Sequence, residues 1–213
     1  EALKGANAMI FGRGGAGGVI NRVTRQADWD RVREVTLQGG SWNNMRGSFD
    51  VGDAVNETVA LRLTGMYQNS ESYRDGFDLE GFGVNPTAAF RLGDNTVLRA
   101  SYEYYDYDRT ADRGIPSLNG EPYKVDSSTF FGDPDVSTTN ATVNIATVVL
   151  DHSFSDNVTL RNRTVFGDYD KFYQNVFPGA IDATATTVAI SAYNNAQQRD
   201  NLFNQTDLTF SLN

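Results

Sequence analysis

The chain has 213 residues, of which 27 are acidic and 18 basic, giving a formal net charge of −9 at pH 7. Because binding to nucleic-acid phosphates needs clustered Lys and Arg, this balance excludes nucleic acid as an expected partner. With no Cys and one His, thiol chemistry and Cys/His zinc sites are excluded as well. A single His supports no catalytic triad, so we expect a protein that is not an enzyme.

The first 25 residues are rich in glycine. Gly12, Gly14 and Gly17 formally match the G-x-G-x-x-G pattern of dinucleotide sites. Such a site needs a helix directly after the glycines, whose N-terminus holds the pyrophosphate. Residues 19–24 are instead strand-like, so the glycines predict a turn between two short strands.

From residue 33 onward, apolar and polar residues alternate in strand-like segments. The clearest case puts Val59, Leu61, Leu63 and Tyr67 on one face of a strand and residues such as Arg62 on the other, since successive side chains point to opposite faces. Several segments are longer than the usual globular strand of about 5–6 residues, whereas membrane strands need about 9–11. Eight strands are predicted, over residues 33–42, 45–52, 58–68, 84–92, 96–107, 140–154, 158–170 and 201–212.

The connections between these strands alternate in length. Short turns are predicted at 51–57, 93–95 and 155–157, and long polar connections at 69–83, 109–138 and 170–199. A transmembrane barrel has short turns at one rim and long loops at the other. The sequence therefore predicts an all-β fold that is a portion of a large antiparallel transmembrane β-barrel. The charges on the polar face (Arg62, Arg99, Glu103, Arg161 and Arg163) fit a watery lumen and equally the wet side of a soluble sheet.

Residues 3–24 read LKGANAMIFGRGGAGGVINRVT. This string resembles the end of the plug domain of TonB-dependent outer-membrane receptors, which carries a Phe-Gly pair and paired glycines before an aliphatic-Asn strand. The resemblance implies about 22 strands around a plugged lumen. Residues 1–28 would then be the C-terminal end of the plug, and residues 29–213 the N-terminal part of the barrel, in a fragment of the receptor. Arg13 is the candidate plug–barrel contact, because plug arginines in this family pair with barrel glutamates.

The longest predicted loop carries a second resemblance. Residues 112–122 and 128–135 resemble a loop of ferric-siderophore receptors, most closely those of the catecholate type. The resemblance implies a ligand-binding role for an aromatic and arginine set: Tyr105, Tyr107, Arg109, Arg113, Phe130 and Phe131. Aromatic faces pack on catechol rings, and Arg makes charge-assisted hydrogen bonds to an anionic chelate. Thr110 and Ala111 replace bulky aromatics of related receptors, which leaves the ligand class open.

Together these resemblances imply a receptor in the outer membrane of a Gram-negative bacterium that imports a ferric siderophore. Iron would enter only within the siderophore, so no cofactor is expected. The implied partners are the TonB–ExbB–ExbD energy-coupling complex, outer-membrane lipid and lipopolysaccharide. Two alternatives remain. One is a small self-contained eight-stranded outer-membrane barrel acting as an adhesin or structural protein. The other is a soluble all-β carbohydrate-binding or enzymatic domain, with its apolar positions inside a core of its own.

Overall fold

The computed structural model describes residues 2–3, 18–20, 23–182, 184 and 187–211, whose strands form three antiparallel sheets. Two sheets have two strands each: β1 (Ala2–Leu3) pairs with β2 (Val19–Ile20), and β8 (Ser117–Leu118) pairs with β9 (Glu121–Pro122). The large sheet contains β3 (Val32–Gly39), β4 (Met45–Ala54), β5 (Val59–Glu71), β6 (Asp78–Arg91), β7 (Thr96–Thr110), β10 (Thr138–Ser155), β11 (Val158–Ile181) and β12 (Val188–Phe210). No helix of the described residues is long and apolar enough to cross a membrane.

The large sheet is an antiparallel meander in the order β12-β11-β10-β7-β6-β5-β4-β3. The small hairpin β8–β9 lies within the connection from β7 to β10. This arrangement confirms the predicted eight antiparallel strands. Within the described part of the chain, β3 and β12 are the two edges of the sheet. The sheet therefore lacks the closing pair that a self-contained eight-stranded barrel requires.

The strands are longer than predicted at the end of the sheet that carries the long connections. β5 continues to Glu71 and β6 begins at Asp78, while β11 reaches Ile181 and β12 begins at Val188. The predicted loops at 69–83 and 170–199 were therefore wrong over most of their length. Where both faces of a strand are wet, alternation of apolar and polar residues is not required, so the sequence pattern ends before the backbone pairing does.

The two faces of the large sheet differ sharply in polarity. We call the face that bears Arg62, Arg99 and Arg161 the inner face, and the opposite face the outer face. Directly paired residues of antiparallel strands lie on the same face, so the register of the strand pairs assigns each side chain to one of the two faces. The large hydrophobic side chains exposed on the outer face include Val35, Leu37, Met45, Phe49, Val51, Leu61, Leu63, Tyr67, Phe82, Tyr102, Val148, Phe166, Ile190, Leu202, Leu208 and Phe210. A soluble domain would bury them.

The small buried core lies on the inner face, where the chain crosses the sheet before β3. Ala27 packs there against Ala60 of β5 and Ala89 of β6, with Trp29 beside them. Arg91 covers Trp29, with its Cζ 3.7 Å from the ring centroid. Small alanines let the crossing segment approach the sheet closely, and the segment is thereby fixed to the strands.

Candidate functional site

Three of the predicted ligand-binding residues form a row on β7. Tyr105, Tyr107 and Arg109 lie on the inner face, because every second residue of a strand shares a face. The rings of Tyr105 and Tyr107 are stacked, with centroids 6.2 Å apart and planes inclined by 18°. The Cζ of Arg109 lies 5.9 Å from the Tyr107 ring centroid. The row therefore presents aromatic rings and a cation together at the long-connection end of the sheet.

The inner faces of β11 and β12 add a second group that the sequence analysis missed. Arg199 and Lys171 approach the Tyr169 ring, at 5.2 Å and 5.7 Å from its centroid. Tyr173 and Tyr193 pack together nearby, with ring centroids 5.3 Å apart. Apart from Tyr169, which lies in the predicted strand 158–170, these residues were assigned to a long loop. The signal was present, since Tyr169, Lys171 and Tyr173 continue the odd-numbered row that begins at Arg161.

Arg113 joins the loop after β7 to these strands. Its guanidinium donates a hydrogen bond to the Tyr193 hydroxyl at 2.5 Å, and its Cζ lies 4.1 Å from the Phe177 ring centroid. Hydrogen bonding to the Tyr173 hydroxyl raises the pKa of Arg113 above its ordinary value. The structure therefore places Arg113 in an aromatic cluster at the rim of the inner face.

Phe130 and Phe131 lie half-buried in the loop between β7 and β10. Among the ring contacts of the described residues, none joins this pair to the tyrosines of the inner face. The structure thus brings Tyr105, Tyr107 and Arg109 into one row and Arg113 into a neighbouring cluster. The two phenylalanines lie apart from both groups, in the loop between β7 and β10.

Charge is sorted between the two faces at this end of the sheet. The inner face carries the cations Arg109, Lys171 and Arg199. The outer face at the same level carries carboxylates, namely Glu80, Asp106, Asp108, Asp168, Asp170 and Asp200. Between the level of Glu103 and the long connections, β7, β10, β11 and β12 are paired. The described inner-face residues of this region include no carboxylate. A chain with a net charge of −9 therefore offers an inner surface that attracts anions.

A separate ion-pair network lies where the chain crosses the inner face before β3. Arg62 donates two hydrogen bonds to the Asp50 carboxylate, both at 2.7 Å, and a third to the Gln26 carbonyl at 3.1 Å. Arg25 donates to Asp50 as well and to Glu34 at 3.1 Å. These acceptors raise the pKa of Arg25 above its usual range, with Asp50 the larger cause.

This network holds the crossing segment to β3, β4 and β5. The sequence analysis selected Arg13 as the contact between plug and barrel. Arg13 lies outside the described residues, and its predicted role stays a prediction. Arg25 was missed because its partners on β3 and β4 become neighbours only when the strands pair.

No family model matches the chain. In sequence, it is 29% identical over 233 residues to the catecholate siderophore receptor Fiu of Escherichia coli K12, a match that covers 98% of the chain and 30% of that receptor. It is 27% identical over 175 residues to the probable TonB-dependent siderophore receptor PiuA of Acinetobacter baumannii, covering 78% of the chain and 24% of PiuA. The chain thus spans about a third or less of the length of these relatives.

The fold agrees with the same two proteins. The open form of the ferric-catecholate import receptor Fiu from E. coli K12 superposes with a TM-score of 0.91 at 27% identity, covering all of the chain and 36% of Fiu. The PiuA crystal structure gives a TM-score of 0.92 at 23% identity, which shows a shared fold and covers 99% of the chain and 32% of PiuA. The eight-stranded sheet therefore matches the barrel region of such receptors.

Proposed function

Because the chain resembles siderophore receptors in sequence and fold over about a third of their length, we propose that it is part of a TonB-dependent receptor and that the complete protein imports a ferric siderophore across the outer membrane. The observation that carries this proposal is the inner-face row of Tyr105, Tyr107 and Arg109, with the cations Lys171 and Arg199 on the neighbouring strands. An import receptor needs such an array at the rim that receives ligand. The name of the relative Fiu supports a catecholate chelate as the ligand.

The chemistry of the array suits an anionic, aromatic ligand. Stacked tyrosine rings offer flat faces for catecholate rings, and such ring pairs contribute about 0.5–1.5 kcal/mol beyond their buried area. Guanidinium and ammonium groups supply charge-assisted hydrogen bonds to the oxygens of the chelate. Iron is part of the cargo in this proposal, and the protein needs no resident cofactor.

The exposed apolar residues of the outer face support a position in the membrane. Side chains such as Leu61, Val148 and Leu208 would contact lipid tails, and the carboxylates beyond them would lie outside the hydrocarbon layer, at the level of the polar head groups. Transport would draw on the TonB–ExbB–ExbD complex, which couples the inner-membrane proton gradient to receptors of this kind. A catalytic role is not part of the proposal.

The test is a titration of the full-length receptor in detergent, followed by intrinsic tryptophan fluorescence. The probes are the ferric complexes of a tripodal tris-catecholate, a trihydroxamate and a hydroxycarboxylate. We expect the catecholate complex to bind most tightly, and cells that carry the receptor to take up its iron only when TonB is present. A receptor that binds none of the three chelates would refute the proposal.

Paired variants test the role of the inner face. Tyr107→Ala removes an inner ring, whereas Tyr104→Ala removes a ring from the outer face of the same strand. We expect Tyr107→Ala to weaken binding of the ferric tris-catecholate by about tenfold, the factor that corresponds to about 1.4 kcal/mol. Tyr104→Ala should leave the affinity unchanged. Equal effects of the two variants would contradict an inner-face site.

A further inference from the structure

Arg74 is a nearly buried cation outside the candidate binding array. It lies in the short loop at residues 72–77, between β5 and β6, and is 8% exposed. Its Nε donates to the Asp112 carboxylate at 3.0 Å, and its Nη1 donates to the carbonyls of Ser127 and Thr129, the latter at 2.9 Å. One guanidinium thus holds the beginning and the middle of the long loop at residues 111–137.

Further contacts lock the two loops around Arg74. The Asp75 amide donates to the Ser128 carbonyl at 2.8 Å, and the Ser128 hydroxyl donates to the Asp75 carboxylate at 3.0 Å. Gly76 has φ +70°, and a Cβ there would lie 2.8 Å from the Pro134 ring. The short loop at residues 72–77 therefore packs closely against the long loop at residues 111–137, and several independent contacts hold the two loops together.

The far end of the same loop segment is fixed to β11. Gly132 has φ +134°, and a Cβ at this position would lie 1.9 Å from the Val176 carbonyl oxygen. Ser137 is buried, and its hydroxyl accepts a hydrogen bond from the Val176 amide at 3.0 Å. The segment from Thr129 to Ser137 is thus held by Arg74 at one end and by β11 at the other. Phe130 and Phe131 lie between the two attachments.

We propose that Arg74 is a positioning residue for ligand binding: it holds Phe130 and Phe131 in a preformed wall at the mouth of the inner face without touching the ligand. This inference rests on the proposed siderophore-binding function. Arg74 suits the task because its planar guanidinium satisfies a carboxylate and two carbonyls at once, which the single ammonium of Lys does not reproduce. In this proposal the contacts of Arg74 and β11 hold the wall in place before the ligand arrives.

The experiment compares variants of the full-length receptor in detergent by hydrogen exchange and by titration with a ferric tris-catecholate. Arg74→Gln should speed amide exchange of residues 126–137 by about tenfold, because hydrogen bonds to a charged group are lost, and should slow association of the probe. Arg74→Lys should give an intermediate result. Lys124→Gln, which removes an exposed cation from the same loop, should match the wild type in both measurements.

A second variant disrupts the contact between Gly132 and β11 and leaves Arg74 unchanged. Gly132→Ala should raise exchange over the same residues, whereas Gly120→Ala, also at a positive φ but with open space around its Cβ, should leave them protected. Unchanged exchange in Arg74→Gln would overturn the positioning role, whatever the ligand. Increased exchange in a receptor that binds no ferric chelate would instead support the role of Arg74 in holding the loop at residues 111–137 and would refute the proposed function.

Discussion

Asp50 is the residue on which the ion pairs of Arg25 and Arg62 converge. Its side chain is 6% exposed and accepts hydrogen bonds from both Arg25 and Arg62. Asp53, three residues later on β4, pairs with Arg31 at 3.3 Å, but its side chain is 54% exposed. The two carboxylates are chemically identical and differ in burial. Comparing their variants therefore compares the stability contributed by a desolvated ion pair with that of an ion pair screened by water.

We expect Asp50→Asn to destabilise the receptor by about 2 kcal/mol, because hydrogen bonds to charged groups contribute about 1.5–3 kcal/mol and the Arg62 charge would lose its counter-ion. Asp53→Asn should change stability by less than about 1 kcal/mol. The measurement is urea unfolding of the full-length receptor in lipid vesicles, followed by the loss of heat-modifiable migration on gels. Equal midpoints for the two variants would show that the Asp50 network contributes nothing to stability.

Residue-scale features divide into those that a pattern can predict and those that it cannot. Alternation alone puts Tyr105, Tyr107 and Arg109 on one face of a strand. It cannot place Arg113 against Tyr193, because the two are 80 positions apart in sequence and the loop path decides their contact. Arg74 was missed for the same reason, since its acceptors lie 38 to 55 positions away.

At the scale of the strand, how well each half of β11 is predicted from sequence depends on whether its outer face is apolar. The lower part of β11, which begins at Val158 beside the short turn, has apolar residues such as Leu160 and Phe166 on its outer face. The alternation that results predicts a strand from the sequence. Its upper part, which pairs with β12 as far as Ile181, mixes polar and apolar residues on both faces. Backbone hydrogen bonds hold that part together, and most residue types can supply them. Tyr173 of the inner face was therefore assigned to a loop.

The contrast between faces gives a prediction for β5. Leu63→Arg introduces a charge on the outer face near the middle of the strand, where arginine costs about 2–4 kcal/mol in a membrane barrel. Thr64→Arg puts the same side chain on the inner face, beside a cavity of about 630 Å³ that Thr64 lines. We expect the folded fraction in lipid vesicles to fall for Leu63→Arg and to hold for Thr64→Arg. Loss of folding by Thr64→Arg alone would reverse the assignment of the faces.

At the scale of the whole molecule, the large sheet has an apolar outer face and, within the described residues, two unpaired edges and a buried hydrophobic core of a few alanines and one valine. In water such an arrangement exposes both apolar surface and free strand edges, each of which promotes association. The 213-residue chain produced alone should therefore form polydisperse assemblies in plain buffer, as measured by light scattering. The full-length receptor in detergent is the control and should stay monodisperse with a high β-sheet content. A monomeric chain with dispersed amide signals in buffer would mean that the outer-face residues find a core of their own, and the membrane assignment would fail with it.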